Sequence, residues 1–387
     1  MPTPDISVIM PSYNSAPWLG QAVESVLLQQ GPTWELLIID DASTDATPDL
    51  ARRYATLDPR VRLLANAGQK GAGGARNTGL NVMRGRAVFF LDSDDILHPG
   101  ALAALHSALE RCNGSAVQGR HTTFCQQRWM THSPEHRNRP DTLSVPLGTF
   151  WGHLFRADFL LNHAVNFPED CPIGQDTVFL CHAYAHMDAP PALIKNPVLI
   201  YRVNHKPRSS NPASARAFLR RAFLAVDHFS EHGKSAWIAP FIRHYVLPGW
   251  LPRLYDARKK GEEEARAFIN GCLDLFARAD DASRPFLNAQ AGPAAKEFAA
   301  RRAGRDATGI LRLLEGQGLL PKPFPFTGIA RDPAEPGWRA YVLSRRLANM
   351  LRSTETRQTL RYLQTLRGRS ARRLVLARSA TAWGGRR

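Results

Sequence analysis

Four consecutive residues, Asp92-Ser-Asp-Asp95, follow directly on the apolar run Ala87 to Leu91. Carboxylates on a turn at the end of a strand suit a divalent cation. Mg²⁺ and Mn²⁺ prefer hard oxygen ligands, bind through one or two carboxylates and complete their shell with diphosphate and water. Asp92 and Asp94 form the Asp-x-Asp pair and Asp95 adds a further oxygen ligand, although the same loop would also serve to cap a helix restarting near Pro99. Asp40-Asp41 closes a second apolar run, Glu35 to Ile39, either as a ligand site or as a strand-end turn. Gly71-Ala-Gly-Gly74 opens a helix that carries Arg76 and Asn77, where backbone N–H groups favour anions. Arg76 occupies the third glycine position of a dinucleotide fingerprint, and no Gly-Lys-Ser/Thr follows, so dehydrogenase and NTPase readings are disfavoured.

These residues need a scaffold, and the pattern around them supplies one. Ile6 to Met10, Glu35 to Ile39, Val61 to Leu64 and Ala87 to Leu91 read as strands, separated by helical patterns through Leu19 to Leu27, Leu50 to Tyr54 and Ala75 to Met83. The class is therefore α/β, with the acidic and glycine-rich loops at the carboxyl ends of strands or their adjoining turns, where open α/β sheets bind ligands. Ala116 to about Pro146 reads as an irregular excursion. A short helix after Asp158, a helix from Thr177 to about His186 and a strand from Pro197 to Tyr201 follow.

The segments Val8-Ile-Met-Pro-Ser-Tyr-Asn14, Leu37-Ile-Ile-Asp-Asp-Ala-Ser-Thr-Asp45, Ala75-Arg-Asn-Thr-Gly79, Phe90-Leu-Asp-Ser-Asp-Asp95 and Gly174-Gln-Asp-Thr-Val-Phe179 occur in this order. Together with Trp151-Gly-His-Leu-Phe-Arg156 and Phe167-Pro168, they resemble the inverting glycosyltransferase family 2, over roughly residues 5 to 210. The resemblance implies a GT-A catalytic domain with a mixed, Rossmann-like sheet, and a nucleotide-sugar donor. It places Pro11, Tyr13 and Asn14 beside the nucleotide. Asp41, with Asp40 beside it, would accept a hydrogen bond from a base imide, which favours a uridine nucleotide. Arg76 and Asn77 would face the ribose or diphosphate. Asp94 and Asp95 would hold Mn²⁺ or Mg²⁺, and Asp92 or Asp94 the ribose or sugar. His205 would be a late metal or diphosphate ligand, and Arg202 a neutraliser of phosphate. Asp176 would be the general base, in a loop where the family commonly has Glu-Asp and this chain has Gln175-Asp176; the alternative is a cap for the helix at Thr177. Gln126-Gln127-Arg128-Trp129 only partly matches the signature of processive synthases, so transfer of a single sugar is expected.

The chain has 387 residues and a net charge of +16. From Arg339 to Arg387 there are 13 Arg against the single acid Glu355, which leaves +4 for everything before. The expected organisation is a transferase domain over 1–210, a helical domain over 211–338 and an Arg-rich amphipathic or flexible tail over 339–387. Trp237, Phe241, Tyr245, Trp250 and Tyr255 in the helical part are read as core, with sugar binding as the alternative. In the tail, Leu343, Leu347, Met350 and Leu351 share a stripe continued by Leu360, Leu363 and Leu366, which could lie on an anionic membrane; nucleic acid is disfavoured for want of aromatics or a known module. No apolar run approaches the roughly 20 residues of a membrane span. The five cysteines lack Cys-x-x-Cys spacing, and a cytoplasmic enzyme, peripheral at the inner membrane face, is expected. The expected acceptor is an envelope polysaccharide, a lipid-linked sugar or a related glycan. Two rivals stand beside this reading: a non-catalytic glycan- or membrane-binding protein on a degenerate fold, and a sugar nucleotidyltransferase.

Overall fold

The structure is a computed structural model, and it describes residues 2–125, 128–130, 150–171, 174–203, 215–278, 295–316, 362 and 364–371. The first half alternates strands and helices: β1 (Ile6–Ser12), α1 (Ala16–Leu27), β2 (Trp34–Asp40), α2 (Thr47–Leu57), β3 (Val61–Ala65), α3 (Ala72–Val82), β4 (Ala87–Phe90), β5 (Ile96–Leu97) and α4 (Ala101–Arg111). Then come β6 (Ala116–Cys125), β7 (Arg128–Met130), β8 (His153–Arg156), α5 (Ala157–Asn162), α6 (Gln175–His186) and β9 (Ala192–Val203). Among the described residues the strands form one sheet of order β3-β2-β1-β4-β8-β6-β9-β5, with β7 paired to β6. β3, β2, β1 and β4 run parallel; β8 is antiparallel to both β4 and β6, and β9 is parallel to β6.

β1 and β4 are buried along their whole length, as expected of strands covered on both faces by helices. α3 lies so close over β1 that a Cβ on Gly79 would come within 2.4 Å of the Ile9 side chain, so only glycine permits that packing. This closeness sets Arg76 and Asn77 directly beneath the β4 end. α3 begins at Ala72, earlier than the spacing predicts, because Gly71 adopts φ 131 and the glycines after it form the first turn.

The expected irregular excursion after Ala116 is corrected in its first part. Ala116–Cys125 is a ten-residue strand in the middle of the sheet, bulged against β9 around Arg120. Its His, Thr and Gln residues hide the apolar alternation that would mark a strand, while residues 131–149 lie outside the described residues. β9 likewise runs longer than predicted, so Arg202 is part of the sheet.

Helices α7 (Ala215–Glu231), α8 (Ile238–Phe241), α9 (Leu247–Lys260) and α10 (Glu262–Ala277), with the short helix Ala307–Gly316, build a second apolar cluster, and a further short helix, Ala295–Ala303, precedes the last of these. Phe241 and Trp250 sit inside it and Trp237 and Tyr245 pack against it, so four of the five aromatics serve packing. The cluster takes in Cys181 and Ala185 from α6, which is therefore shared between both halves. Between α8 and α9 the chain makes one π-helical turn, Ile242–Val246, which carries Tyr245.

From the basic tail, the described residues 364–371 are helical. Leu366 is fully buried against Ile96 and Ile200, the Tyr362 hydroxyl donates to the Leu97 carbonyl at 3.1 Å, and the Tyr54 hydroxyl donates to Ser370 at 3.1 Å. Leu366 thus faces protein, not a membrane, while Arg367 and Arg369 are exposed. The other stripe residues of the tail lie outside the described residues. Among the described residues no helix is long and apolar enough to cross a membrane.

Candidate active site

The site grows from the carboxyl ends of β1, β2 and β4. At β2, Asp41 is buried and both its oxygens are engaged: Oδ1 accepts from Asn66 Nδ2 at 2.6 Å and Oδ2 from the Gly71 N–H at 2.9 Å. It ties the β3 loop to the start of α3. Asp40 accepts from the Ser43 N–H at 3.2 Å through Oδ2, whereas its buried Oδ1 has no hydrogen-bond partner. The open acceptor of the pair is therefore on Asp40. Asn14 takes φ 47 and its carboxamide oxygen accepts from the N–H groups of Thr44 and Asp45, at 2.8 and 3.3 Å. It holds the β1 and β2 loops together. Pro11 is buried at the end of β1, and Tyr13 is half-buried with Lys70 Nζ 5.0 Å from its ring centroid, a neighbour that sequence reasoning missed.

On α3, Arg76 is only 4% exposed. Its Nη2 donates to Asp92 Oδ1 at 2.6 Å, its guanidinium lies over Phe150 and Phe167, and its Nε and Nη1 have no hydrogen-bond partner. Two buried N–H-bearing nitrogens without an acceptor are a vacancy in polar chemistry that an incoming anion would fill. Asn77 differs from the expectation. Its Nδ2 donates to the Phe167 carbonyl and to Glu169, and its Oδ1 accepts from the Phe167 N–H, each at 2.9 Å, so its carboxamide fixes the 167–169 segment.

The acidic loop is a tight turn in which the Asp95 N–H donates to the Asp92 carbonyl at 2.9 Å. Ser93 Oγ meets Ser15 Oγ at 2.7 Å and pins the turn to the start of α1. Asp95 is 1% exposed; its Oδ1 accepts from the Arg202 N–H at 2.9 Å and its Oδ2 is buried without a partner. Burial, together with Asp94 and Asp92 beside it, pushes the Asp95 carboxyl well above the usual carboxylate range. Asp94 is half-buried. Arg202 is buried on Trp18, 4.7 Å from its ring centroid; it donates through Nη2 to Gln21 at 2.6 Å and leaves Nε and Nη1 without partners.

Asp176 is in the first turn of α6, whose N-cap is Gly174, so the helix starts earlier than Thr177, and its carboxyl accepts from the Thr177 N–H in that turn. Its pKa is raised by burial, a rise that Arg76, this hydrogen bond and Arg221 oppose and Asp92 reinforces. Gly174 has φ 78 and a Cβ on it would come 2.1 Å from an Arg221 nitrogen. Arg221 on α7 thus packs under the turn that carries Asp176, and Tyr245 shares a hydrogen bond with Thr177 in the same turn. Neither residue carries a motif, so only tertiary packing could reveal them. Tyr201 stacks on Trp151 with ring centroids 3.9 Å apart, and the charges of Asp95, Asp94, Asp92 and Asp176 all act on its hydroxyl. Tyr201 is therefore a further neighbour of the acidic cluster that the motifs did not single out.

The structure thus gathers Asp92, Asp94, Asp95, Asp176, Arg76 and Arg202 into one region, with Asp40, Asp41, Asn14 and Tyr13 at the neighbouring strand ends. His205 lies outside the described residues. For a divalent cation the donor set fits: hard oxygens, crowded like charges and an Asp95 oxygen without a partner are conditions that such an ion relieves. Among the described residues no three His, Cys, Asp or Glu side chains converge on one point.

A parallel sheet that turns antiparallel after β4, with an acidic turn at that strand's carboxyl end, defines the GT-A class of transferases. Residues 7–172 match the model of "Glycosyl transferase family 2". The chain is 31% identical to the succinoglycan biosynthesis protein ExoO of Rhizobium meliloti, over 69% of this chain and 76% of that protein. It is also 42% identical to the Escherichia coli UDP-Glc:alpha-D-GlcNAc-diphosphoundecaprenol beta-1,3-glucosyltransferase WfgD, over 30% of this chain and 44% of that one. In fold it is similar to S. aureus TarS 1-349 in complex with UDP, with TM-score 0.62 and 18% identity, covering 81% of this chain and 92% of that one. The chain belongs to glycosyltransferase family 2.

Proposed function

We propose that the chain transfers a single sugar from a uridine-diphosphate sugar to an acceptor hydroxyl of an envelope polysaccharide or lipid-linked glycan, with inversion at the anomeric carbon. The observation that carries this reading is the placement of Asp176 beside the Arg76–Asp92 pair and the acidic loop. The names of ExoO and WfgD support the acceptor class, and UDP in TarS supports the donor nucleotide.

In this mechanism Asp40, with its open acceptor, and Asp41 border the base; Arg76 and Arg202 present their unpartnered N–H groups to phosphate oxygens. Asp94 and Asp95 would hold Mn²⁺ or Mg²⁺, which supplies charge neutralisation for the departing diphosphate. Asp176 takes the proton of the acceptor hydroxyl as its oxygen bonds to the anomeric carbon. The bond from that carbon to the diphosphate oxygen breaks in the same displacement, and its electron pair leaves with the nucleoside diphosphate. A carboxyl with a raised pKa is a stronger base once ionised, and Gln175 in place of an acid removes one like charge that would raise it further.

The test is calorimetric binding of UDP, GDP and CDP in Mn²⁺ and in excess EDTA, followed by transfer assays. Metal-dependent binding of UDP alone is the expected result; no nucleotide binding in any condition would favour a non-catalytic glycan-binding module, the reading that Gln175 supports. We further propose that residues 1–210 carry this chemistry, that 211–338 brace α6, and that the basic tail holds the enzyme at the cytoplasmic face of the membrane through exposed arginines. Substituting Arg367 and Arg369 by Gln should weaken sedimentation with anionic vesicles while leaving transfer unchanged; equal sedimentation would remove the tail arginines from the proposal.

A further inference from the structure

The other end of α6 carries a group of side chains that the transfer chemistry does not use. His182 and His186 are one helical turn apart on α6; His228 is in the last turn of α7, which packs against it, and His232 follows four residues on, just after the end of α7. The ring centroids of His182 and His228 are 4.0 Å apart and those of His186 and His232 3.9 Å; His182 and His186 are 5.2 Å apart, and His182 and His232 6.3 Å. His163, after α5, comes within 4.4 Å of His186. Rise along the helix puts His186 about 15 Å from Asp176.

We propose that these two facing His-x-x-x-His pairs form a transition-metal site of the zinc class, which clamps the carboxyl end of α6 to α7. Three observations carry it. Imidazoles around a tetrahedral ion with metal–nitrogen bonds of about 2.0–2.1 Å have ring centroids about 5 Å apart, and the separations observed bracket that value. His232 Nδ1 lies 2.8 Å from the His228 carbonyl oxygen, which can only accept, so Nδ1 donates and Nε2 is the nitrogen left to face a ligand. Such a bond to the outer nitrogen is the usual way a ligating imidazole is oriented. His186 and His228 also stand in the last turns of their helices, where the carbonyl ends favour a cation.

The charged groups around the cluster are Asp227 and Glu231, which act on His228, and Lys234. Asp227 is paired with Arg278, and Lys234 Nζ donates to the Met187 carbonyl at 3.0 Å just beyond the end of α6. As they stand the rings stack instead of converging, and among the described residues no three ligands point to one centre. The ion's arrival requires rotation of the rings about their side-chain bonds, with the helices staying where they are.

The experiment titrates Zn²⁺ into the full chain, stripped with chelator, by competition with a chromophoric chelator, and follows thermal unfolding in parallel. It is run in the Asp94→Ala background, so that the acidic loop cannot account for the signal. Stoichiometric binding with a rise in Tm is expected, weakened at least about 10-fold in His182→Gln and in His228→Gln. X-ray absorption at the zinc edge should show imidazole nitrogens at about 2.0 Å. Binding left unchanged by both substitutions, or a zinc shell without imidazole, would overturn the site, as would no stoichiometric binding to the parent. Gln keeps polarity and size, and far-ultraviolet circular dichroism confirms that each variant is folded. Failure of the parent chain, with Asp94 intact, to bind UDP while zinc binding persists would count against the proposed transferase chemistry alone.

Discussion

The two ends of α6 gather titratable groups in opposite ways. At the amino end, the charges of Asp92 and Arg76 act on Asp176, and Asp94 and Asp92 crowd Asp95 beside the buried Arg202. At the carboxyl end, His182, His186, His228 and His232 face one another with Asp227 and Glu231 as the acids acting on His228. The acidic end sets buried guanidinium groups beside its carboxyls, whereas at the histidine end burial lowers the pKa of His182, His186 and His228. The first is an arrangement for binding a charged ligand and moving a proton, and the second leaves lone pairs open to a soft or borderline cation.

The largest expected effect breaks the acidic end. Asp176→Asn should lower transfer by about 10²–10⁴-fold while leaving UDP affinity within about 2-fold, as measured by product formation and calorimetry. A parallel loss of UDP affinity would make Asp176 a donor-side residue. Next, Arg76→Ala leaves Asp92 and the phosphate site without their buried cation. A loss of stability of about 3 kcal/mol is expected from urea unfolding, together with weaker UDP binding. A smaller effect of opposite sign should follow from Asp95→Asn, which keeps an oxygen to accept from the Arg202 N–H and removes one buried like charge. It should stabilise the metal-free protein by about 1 kcal/mol and abolish the stabilisation that Mn²⁺ with UDP gives the parent.

The smallest effect separates the two ends by pH. The folded-state values of His182 and His186 are lowered to about 3 and about 4, so the unfolded chain takes up protons first as pH falls below 6.5. Their contribution is present above about pH 6.5 and is lost between there and about pH 4 for His186 and about pH 3 for His182. Asp95 and Asp176 are raised, so in acid the folded state takes up their protons first and they oppose that loss. His182→Gln should therefore flatten the decline of the urea midpoint between pH 7 and pH 5, and Asp95→Asn should steepen it. An unchanged slope in the histidine variant would show that the cluster is already open to water.

Much of the acidic end was legible in the sequence, because its groups belong to local segments: a strand followed by Asp92-Ser-Asp-Asp95, and Asp176 at a helix start. The positions of β1 to β4 along the chain were legible too, most clearly β1 and β4, since strands buried on both faces are continuous apolar runs, whereas their order in the sheet came only from the fold. Ala116–Cys125 was not, because its polar residues mask the period of a strand that is held by neighbours on both sides. Sequence spacing also could not distinguish Asp40 from Asp41, or a facing Arg76 from a bracing Asn77; those differences arise from Asn66, Gly71 and Phe167, all brought in from other segments.

By itself, then, the sequence determined the α/β class, the family and the residue types at the strand ends, since each depends on short-range pattern. The tertiary structure alone decided which polar atoms remain without partners, that Arg221 and Tyr245 brace the turn of Asp176, that Leu366 of the tail is buried, and that histidines separated by some 46 residues face one another. The physical reason is that desolvation and contact are properties of packing, and packing joins positions whose distance along the chain carries no information about it.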